Sequence, residues 1–445
     1  MKLLLEVCKL NSLLKDFFKY TGLNIAGMIG LSCYILADTF FVAQALGTDG
    51  LAALNFAIAI YTLMNGAGLM LGIGGATVFT IKKETGKNGN IPFMHSLYGG
   101  AAVALVLVIA GLFFSTPLSA LMGAEGNALP MCSIYLKVLM LFSPFFILNS
   151  SLTAFVRNDN SPRLSMTAML VSSFSNIVLD YVFMFPFNMG MFGAVFATCM
   201  SPVISIAILS RHFIKKKNTF FIERVKFKFS ELKNVLTYGF STFVGELASS
   251  IALLVFNLVL MNIGGSTAVA AYGIIANIVL VVISIYNGLS QGTQPLASSY
   301  YGKGGYPQLE KLLRYGLVSS LVISGVIYAV LFVFAEPIVQ VFSGQDQYLK
   351  EISVVGVKIY FIGIFFNGIN VFLASFLSAT SKYGQGMVIS ILRSSVVLIP
   401  AVIVLSIAFS INGVWMSFVV TELIVCVLSL IFTVKLLKEF KSKAV

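Results

Sequence analysis

Four carboxylates stand inside long apolar runs of the 445-residue chain: Asp38, Asp180, Glu246 and Glu422. An ionised group surrounded by hydrocarbon is costly, so each of these acids is a functional candidate by default. Asn176 lies one helical turn before Asp180, on the same face of a helix. Thr198 lies in the next run. At ~1.5 Å per residue from the outer end of each run, Asp38 and Asp180 sit at about 9 Å depth and Thr198 at about 12 Å. Four oxygen-bearing side chains from three runs therefore share one level. Two carboxylates with an amide and a hydroxyl oxygen suit a hard cation such as Na⁺. The same pair can instead hold a proton, because burial and like charge both favour the neutral acid. The plain alternative is two acids satisfied by helix ends or water.

Glu246 lies ~20 Å from the inner face and Glu422 ~15 Å from the outer face, both near the midplane. They are candidates for lining a cavity that attracts cationic cargo. A structural role is the alternative for each, for Glu422 as a bridge to Arg393. Lys137 and Lys358 are read as snorkelling to the outer headgroups. His95 and His212 are far apart and near predicted helix ends, a poor metal pair. Cys8, Cys33, Cys132, Cys199 and Cys426 have no metal spacing and read as small apolar fillers.

The elements that must carry these residues follow from composition. The chain is 58% hydrophobic and 10% charged, with mean hydropathy +0.95. Soluble chains run near 45–50% apolar and about 25% charged. That excludes a soluble enzyme, a nucleic-acid module and a disordered scaffold. At ~20 residues per crossing the length holds about 11 to 14 spans and no large soluble domain. Runs broken by Gly, Pro, Asn or charge give twelve: roughly 20–44, 50–80, 93–115, 128–154, 163–186, 190–214, 233–262, 267–293, 311–334, 351–378, 385–409 and 412–437. Residues 1–20 read as an amphipathic lead-in rather than a signal peptide.

With a cytoplasmic N-terminus, 26 of the 29 Lys and Arg fall at inner ends, Arg393 among them. The exceptions are Lys137, Lys350 and Lys358. This bias predicts both termini in the cytoplasm. The most basic stretch, Arg211 to Lys233 with its KKK at 215–217, falls at the midpoint. It reads as a linker, 215–232, between an N-lobe at 1–214 and a C-lobe at 233–445.

The halves repeat. At an offset of 218, Gly47 matches Gly265, Ala52-Ala53 matches Ala270-Ala271, and Gly74 matches Gly292. Near 221, Lys137 matches Lys358, Asn149 matches Asn370 and Phe155 matches Phe376. Six spans per half give both halves one orientation, related by an axis along the membrane normal, a transporter arrangement. GAGLMLGIGGA at 66–76 gives one span a small-residue face for close helix contact or bending. Its counterpart, GLSQGTQP at 288–295, places Pro295 as a kink or an end.

ADTFFVAQALGTDGLAALNFAIAIY (37–61), FVRNDNSPRLSM (155–166), NIVLDYVFMFPFNMGMFGAVFAT (176–198) and GLSQGTQPLASSYYGKG (288–304) resemble the multidrug and toxic compound extrusion (MATE) transporters. RSSVVLIPAVIVLSIAFSINGVWMSFVVTEL (393–423) is similar to the bacterial branch. The resemblance covers essentially the whole chain. It implies an all-α, V-shaped protein of twelve helices in two six-helix lobes. The implied activity is export of organic cations against Na⁺ or H⁺ entry, with no cofactor beyond that ion and no catalysis. It also implies a monomer in a bacterial inner membrane. The family's first-lobe cation site falls, motif by motif, on Asp38, Asn176, Asp180 and Thr198. Some members carry a second-lobe site with acids on spans 7 and 10. Here span 10 has no acid between Ile352 and Thr380, and the register of Glu246 against the family's acid is open.

Three other readings fit less well. A lipid-linked oligosaccharide flippase of related fold would line its cavity with Lys and Arg, which are scarce in mid-span here. An intramembrane enzyme would need a large catalytic loop or a reactive cluster. A channel is disfavoured by the internal repeat.

Overall fold

The computed structural model describes residues 2–343 and 346–444, with side chains for 12–340 and 346–443. The side chains of Lys2, Cys8 and Lys9 lie outside the described residues. Every regular element among the described residues is helical. The first half holds α1 (Lys2–Glu84), α2 (Asn90–Leu121), α3 (Ala128–Leu141), α4 (Ser143–Asn158), α5 (Pro162–Met184), α6 (Gly190–Leu209) and the one-turn α7 (Arg211–Ile214). The second holds α8 (Phe229–Gly302), α9 (Tyr306–Val333), α10 (Ala335–Ser343), α11 (Gln347–Tyr360), α12 (Ile364–Ala379), α13 (Tyr383–Ile391) and α14 (Leu398–Ala444). A π-helical turn, Leu392–Val396, precedes α14.

Among the described residues, eight helical stretches are long and apolar enough to cross a membrane, or nine when α3 and α4, bent by 51°, count as one. Three of these are 61 to 74 residues long, where a crossing needs ~20. Each contains one backbone break, at Gly47, Gly265 or Ser410. Dividing them there gives the twelve spans expected.

The breaks show why the chain repeats where it does. Gly47 has φ 64° and ψ −150°, and Gly265 has φ 63° and ψ −156°. That region is closed to residues with a Cβ except at a strain cost of about 1–3 kcal/mol. The matched glycines thus make the same turn in both halves. Pro295, expected to kink or end its helix, lies inside α8, which runs on to Gly302.

Packing divides the chain into two compact units at points other than the midpoint linker. One is Ala26–Glu246; the other is Met1–Ile25 with Leu247–Val445. Both divisions fall inside a long helix, so α1 and α8 each begin in one unit and continue in the other. Close backbone approach explains this. A Cβ on Gly74 would strike the Val235 carbonyl and the backbone of Gly239. In the other unit, a Cβ on Gly292 would strike the backbone of Thr21 and Tyr20. The small-residue faces of α1 and α8 therefore clasp the opening turns of α8 and α1, respectively. Each unit has its own core, one around Leu71, Tyr135 and Leu139, the other around Phe256, Tyr360 and Trp415.

Candidate cation site

Asp38, Asn176, Asp180 and Thr198 all belong to the Ala26–Glu246 unit, and all are buried: 7%, 0%, 0% and 3% exposed. Asp38 comes from α1, Asn176 and Asp180 from one face of α5, and Thr198 from α6. In the amide orientation that satisfies both neighbours, Asn176 donates to Asp180 Oδ2 (3.1 Å) and accepts from the Thr198 backbone N–H (3.2 Å). This amide ties α5 to α6 at the height of the acids. Asp38 Oδ1, Asp180 Oδ1 and Thr198 Oγ1 are buried without a hydrogen-bond partner among the described residues. Buried polar atoms are nearly always partnered, so three orphan oxygens in one site need an explanation. Two carboxylate oxygens can only accept, and what they lack is a donor or a positive charge.

Three tyrosines that the sequence reading did not single out join them. Tyr34, Tyr61 and Tyr135 line a cavity with Asp38, Thr39 and Thr198. The Tyr34 and Tyr61 hydroxyls are 2.9 Å apart. One signal was available: Tyr34 precedes Asp38 by one helical turn, which puts both on one face. Tyr61 and Tyr135 carry no such mark, because a Tyr in an apolar run reads as core.

Glu246 is half-buried, with Asn65 Nδ2 at 3.5 Å from its Oε2, the long limit of a hydrogen bond. It belongs to the same unit as Asp38. Glu422 lies in the other unit and is 2% exposed. Its Oε1 accepts from Asn367 (2.9 Å) and from Arg393 Nη2 (3.0 Å) and Nε (3.2 Å). Its Oε2 accepts from Asn370 at 2.7 Å. Glu422 is thus the bridge to Arg393, the alternative weighed in sequence, with both oxygens engaged. Arg393 was counted among the inner-end bases. It instead sits in the π-helical turn against Glu422, where burial next to a carboxylate outweighs the pull to water.

The place matching Asp38 at offset 218 is Phe256, fully buried and stacked on Tyr272 at 4.8 Å between ring centroids. Tyr272 stacks in turn on Trp415. An aromatic cluster thus stands in the second half at the place matching Asp38. No group of three or more His, Cys, Asp or Glu among the described residues could hold a metal ion.

The family model MatE matches residues 25–182 and 242–404, well over half of the chain and both of its halves. The chain belongs to the MatE family. Among curated relatives of this MatE protein is the multidrug export protein MepA of Staphylococcus saprophyticus, 26% identical over 433 residues, 96% of this chain and 95% of that one. MepA of Staphylococcus aureus is 27% identical over 413 residues, 91% and 90% of the two chains. Among solved structures, a MOP superfamily transporter of Pyrococcus furiosus superposes with TM-score 0.89 at 20% identity, over 96% of each chain. A mutant of the Vibrio cholerae MATE transporter VcmN gives 0.87 at 22% identity, over 96% of this chain and 98% of that one. These likenesses establish the fold. The protein is a multi-pass membrane transporter of the bacterial MATE type.

Proposed function

We propose that this MatE protein exports organic cations as an antiporter driven by Na⁺ or H⁺, in a bacterial inner membrane with both termini cytoplasmic. The drug-export names of its relatives support the cargo class. The observation that carries the coupling is the set of orphan oxygens on Asp38, Asp180 and Thr198. One monovalent cation would supply what all three lack, and its charge would offset one of the two buried carboxylates, the other holding a proton. A proton would serve the acids alone.

Antiport requires cation and cargo to favour different states of the transporter, or to compete for one site. Asn176 fixes the spacing of α5 and α6, so a change in ion occupancy acts on α1, which carries Asp38 and the tyrosine face. Tyr34 and Tyr61 give the cavity beside Asp38 aromatic walls suited to a flat cation. Glu246, half-buried in the same unit, remains the candidate for cargo contact. Glu422, already neutralised by Arg393, is assigned a structural role. With Phe256 at the place matching Asp38 and Glu422 bound to Arg393, one ion site, in the first half, serves the cycle.

Expression in a pump-deficient bacterial strain should raise tolerance to lipophilic cationic dyes. Unchanged tolerance to a broad cation panel, with the protein confirmed in the membrane, would contradict the cargo assignment and favour the flippase.

A further inference from the structure

The segment between α6 and α8 is held down along its length against the Ala26–Glu246 unit. Asp159, 4% exposed, accepts from Lys83 (2.9 Å), His212 Nε2 (3.0 Å) and the Thr219 backbone N–H (2.7 Å), with the Thr219 hydroxyl as a further donor. Burial alone would raise its pKa; these hydrogen bonds outweigh it and hold the carboxyl at about 2. The Asp159 anchor is therefore charged at any physiological pH. Phe220 is fully buried among Phe79, Phe93, Phe155 and Phe213. Further on, Tyr98 donates to the Val225 carbonyl (3.0 Å), and the Lys228 N–H donates to His95 Nε2 (3.0 Å). The two histidines thus fasten this strap.

Its other face is open and mixed. Eight Lys and Arg stand against two Glu between Arg211 and Lys233. Both acids have partners in the unit: Glu223 accepts from Asn90 and Glu231 pairs with Lys82. Lys215, Lys216 and Lys217 are exposed. Between the bases stand bulky apolar side chains that touch little: Ile214 is 75% exposed, Ile222 80% and Phe229 68%. Such residues facing bulk water are unfavourable and unexplained by a passive tether. Bases interleaved with aromatic and aliphatic groups, at the ends of membrane helices, match the polar–apolar boundary of an anionic leaflet.

We propose that the strap is an anionic-lipid binding surface, with phospholipid headgroup phosphates on Lys215–Lys217 and the exposed apolar side chains entering the interface. The clamp presents these residues pre-ordered, which removes the entropy cost that a free linker would bear on binding.

The test is native mass spectrometry of the full chain after equilibration with mixed phosphatidylglycerol and phosphatidylcholine. The unmodified protein should retain phosphatidylglycerol preferentially, and salt should erase the preference. The exposed-surface variant K215Q/K216Q/K217Q should bind phosphatidylglycerol roughly 100-fold more weakly, at about a fivefold loss per lysine. A variant of equal charge loss at the tail, K435Q/K438Q/K441Q, should stay close to the unmodified protein. Equal retention of the two lipids, a preference that salt does not touch, an unchanged strap variant, or a tail variant that falls as far would each overturn the proposal. An unchanged strap variant would leave the surface to a protein partner.

Discussion

At the scale of single residues, the two halves treat their buried charge in opposite ways. Asp38 and Asp180 keep orphan oxygens, whereas Glu422 is saturated by Arg393 and two asparagines. The first arrangement suits a charge that comes and goes, the second one that never leaves. Thr198→Ala removes one neutral ligand and no charge. If Na⁺ is the coupling ion, this should raise the Na⁺ concentration needed for half-maximal transport; proton-driven transport should change little, since a proton needs no extra oxygen. Side-by-side Na⁺ and pH titrations of efflux distinguish the two. Arg393→Met leaves Glu422 buried without its cation, a loss on the order of 3–5 kcal/mol in comparable pairs. Its thermal stability in detergent should fall, and the added change Glu422→Gln should restore most of it. No restoration would mean that Arg393 serves something other than Glu422.

At the scale of elements, the site depends on where helices bend and how closely they approach. Gly74 and Gly292 occupy matching places and admit no Cβ without moving a neighbouring backbone. Gly74→Val and Gly292→Val should each destabilise the protein by about 1–3 kcal/mol or more, the usual cost of overpacking. Gly245→Ala, with nothing within 4 Å of its added Cβ, should have little effect and serves as the control. Thermal melts of the three variants check this. The sequence made much of this level legible. The Gly47–Gly265 and Gly74–Gly292 matches were legible as a repeat, and the small-residue face at 66–76 as a place of close contact or bending; that Gly47 and Gly265 break the helix was not. That Asp38, Asn176, Asp180 and Thr198 lie buried in one unit was legible, because acids in hydrocarbon are conspicuous and helical rise converts position into depth. Tyr61 and Tyr135 were not, since periodicity cannot tell a cavity wall from a core. For Arg393 two readings stood side by side, an inner-end base by charge counting and a bridge to Glu422, and the fold decides for the bridge. The Asp159 clamp also escaped, because an acid in a loop between spans reads as solvated.

At the scale of the whole molecule, the chain is a twelve-span MatE transporter built from a repeated half, with its acids unevenly shared. The central claim is that one ion, held by Asp38 and Asp180, drives export. The most direct measurement is cationic-dye movement in inverted vesicles under an imposed Na⁺ or pH gradient, comparing the unmodified protein with Asp38→Asn. That substitution keeps the side chain's size and removes its charge. The account predicts a correctly inserted Asp38→Asn protein that melts near the unmodified protein and moves no dye under either gradient. A stable Asp38→Asn protein with unmodified gradient-driven transport would contradict it.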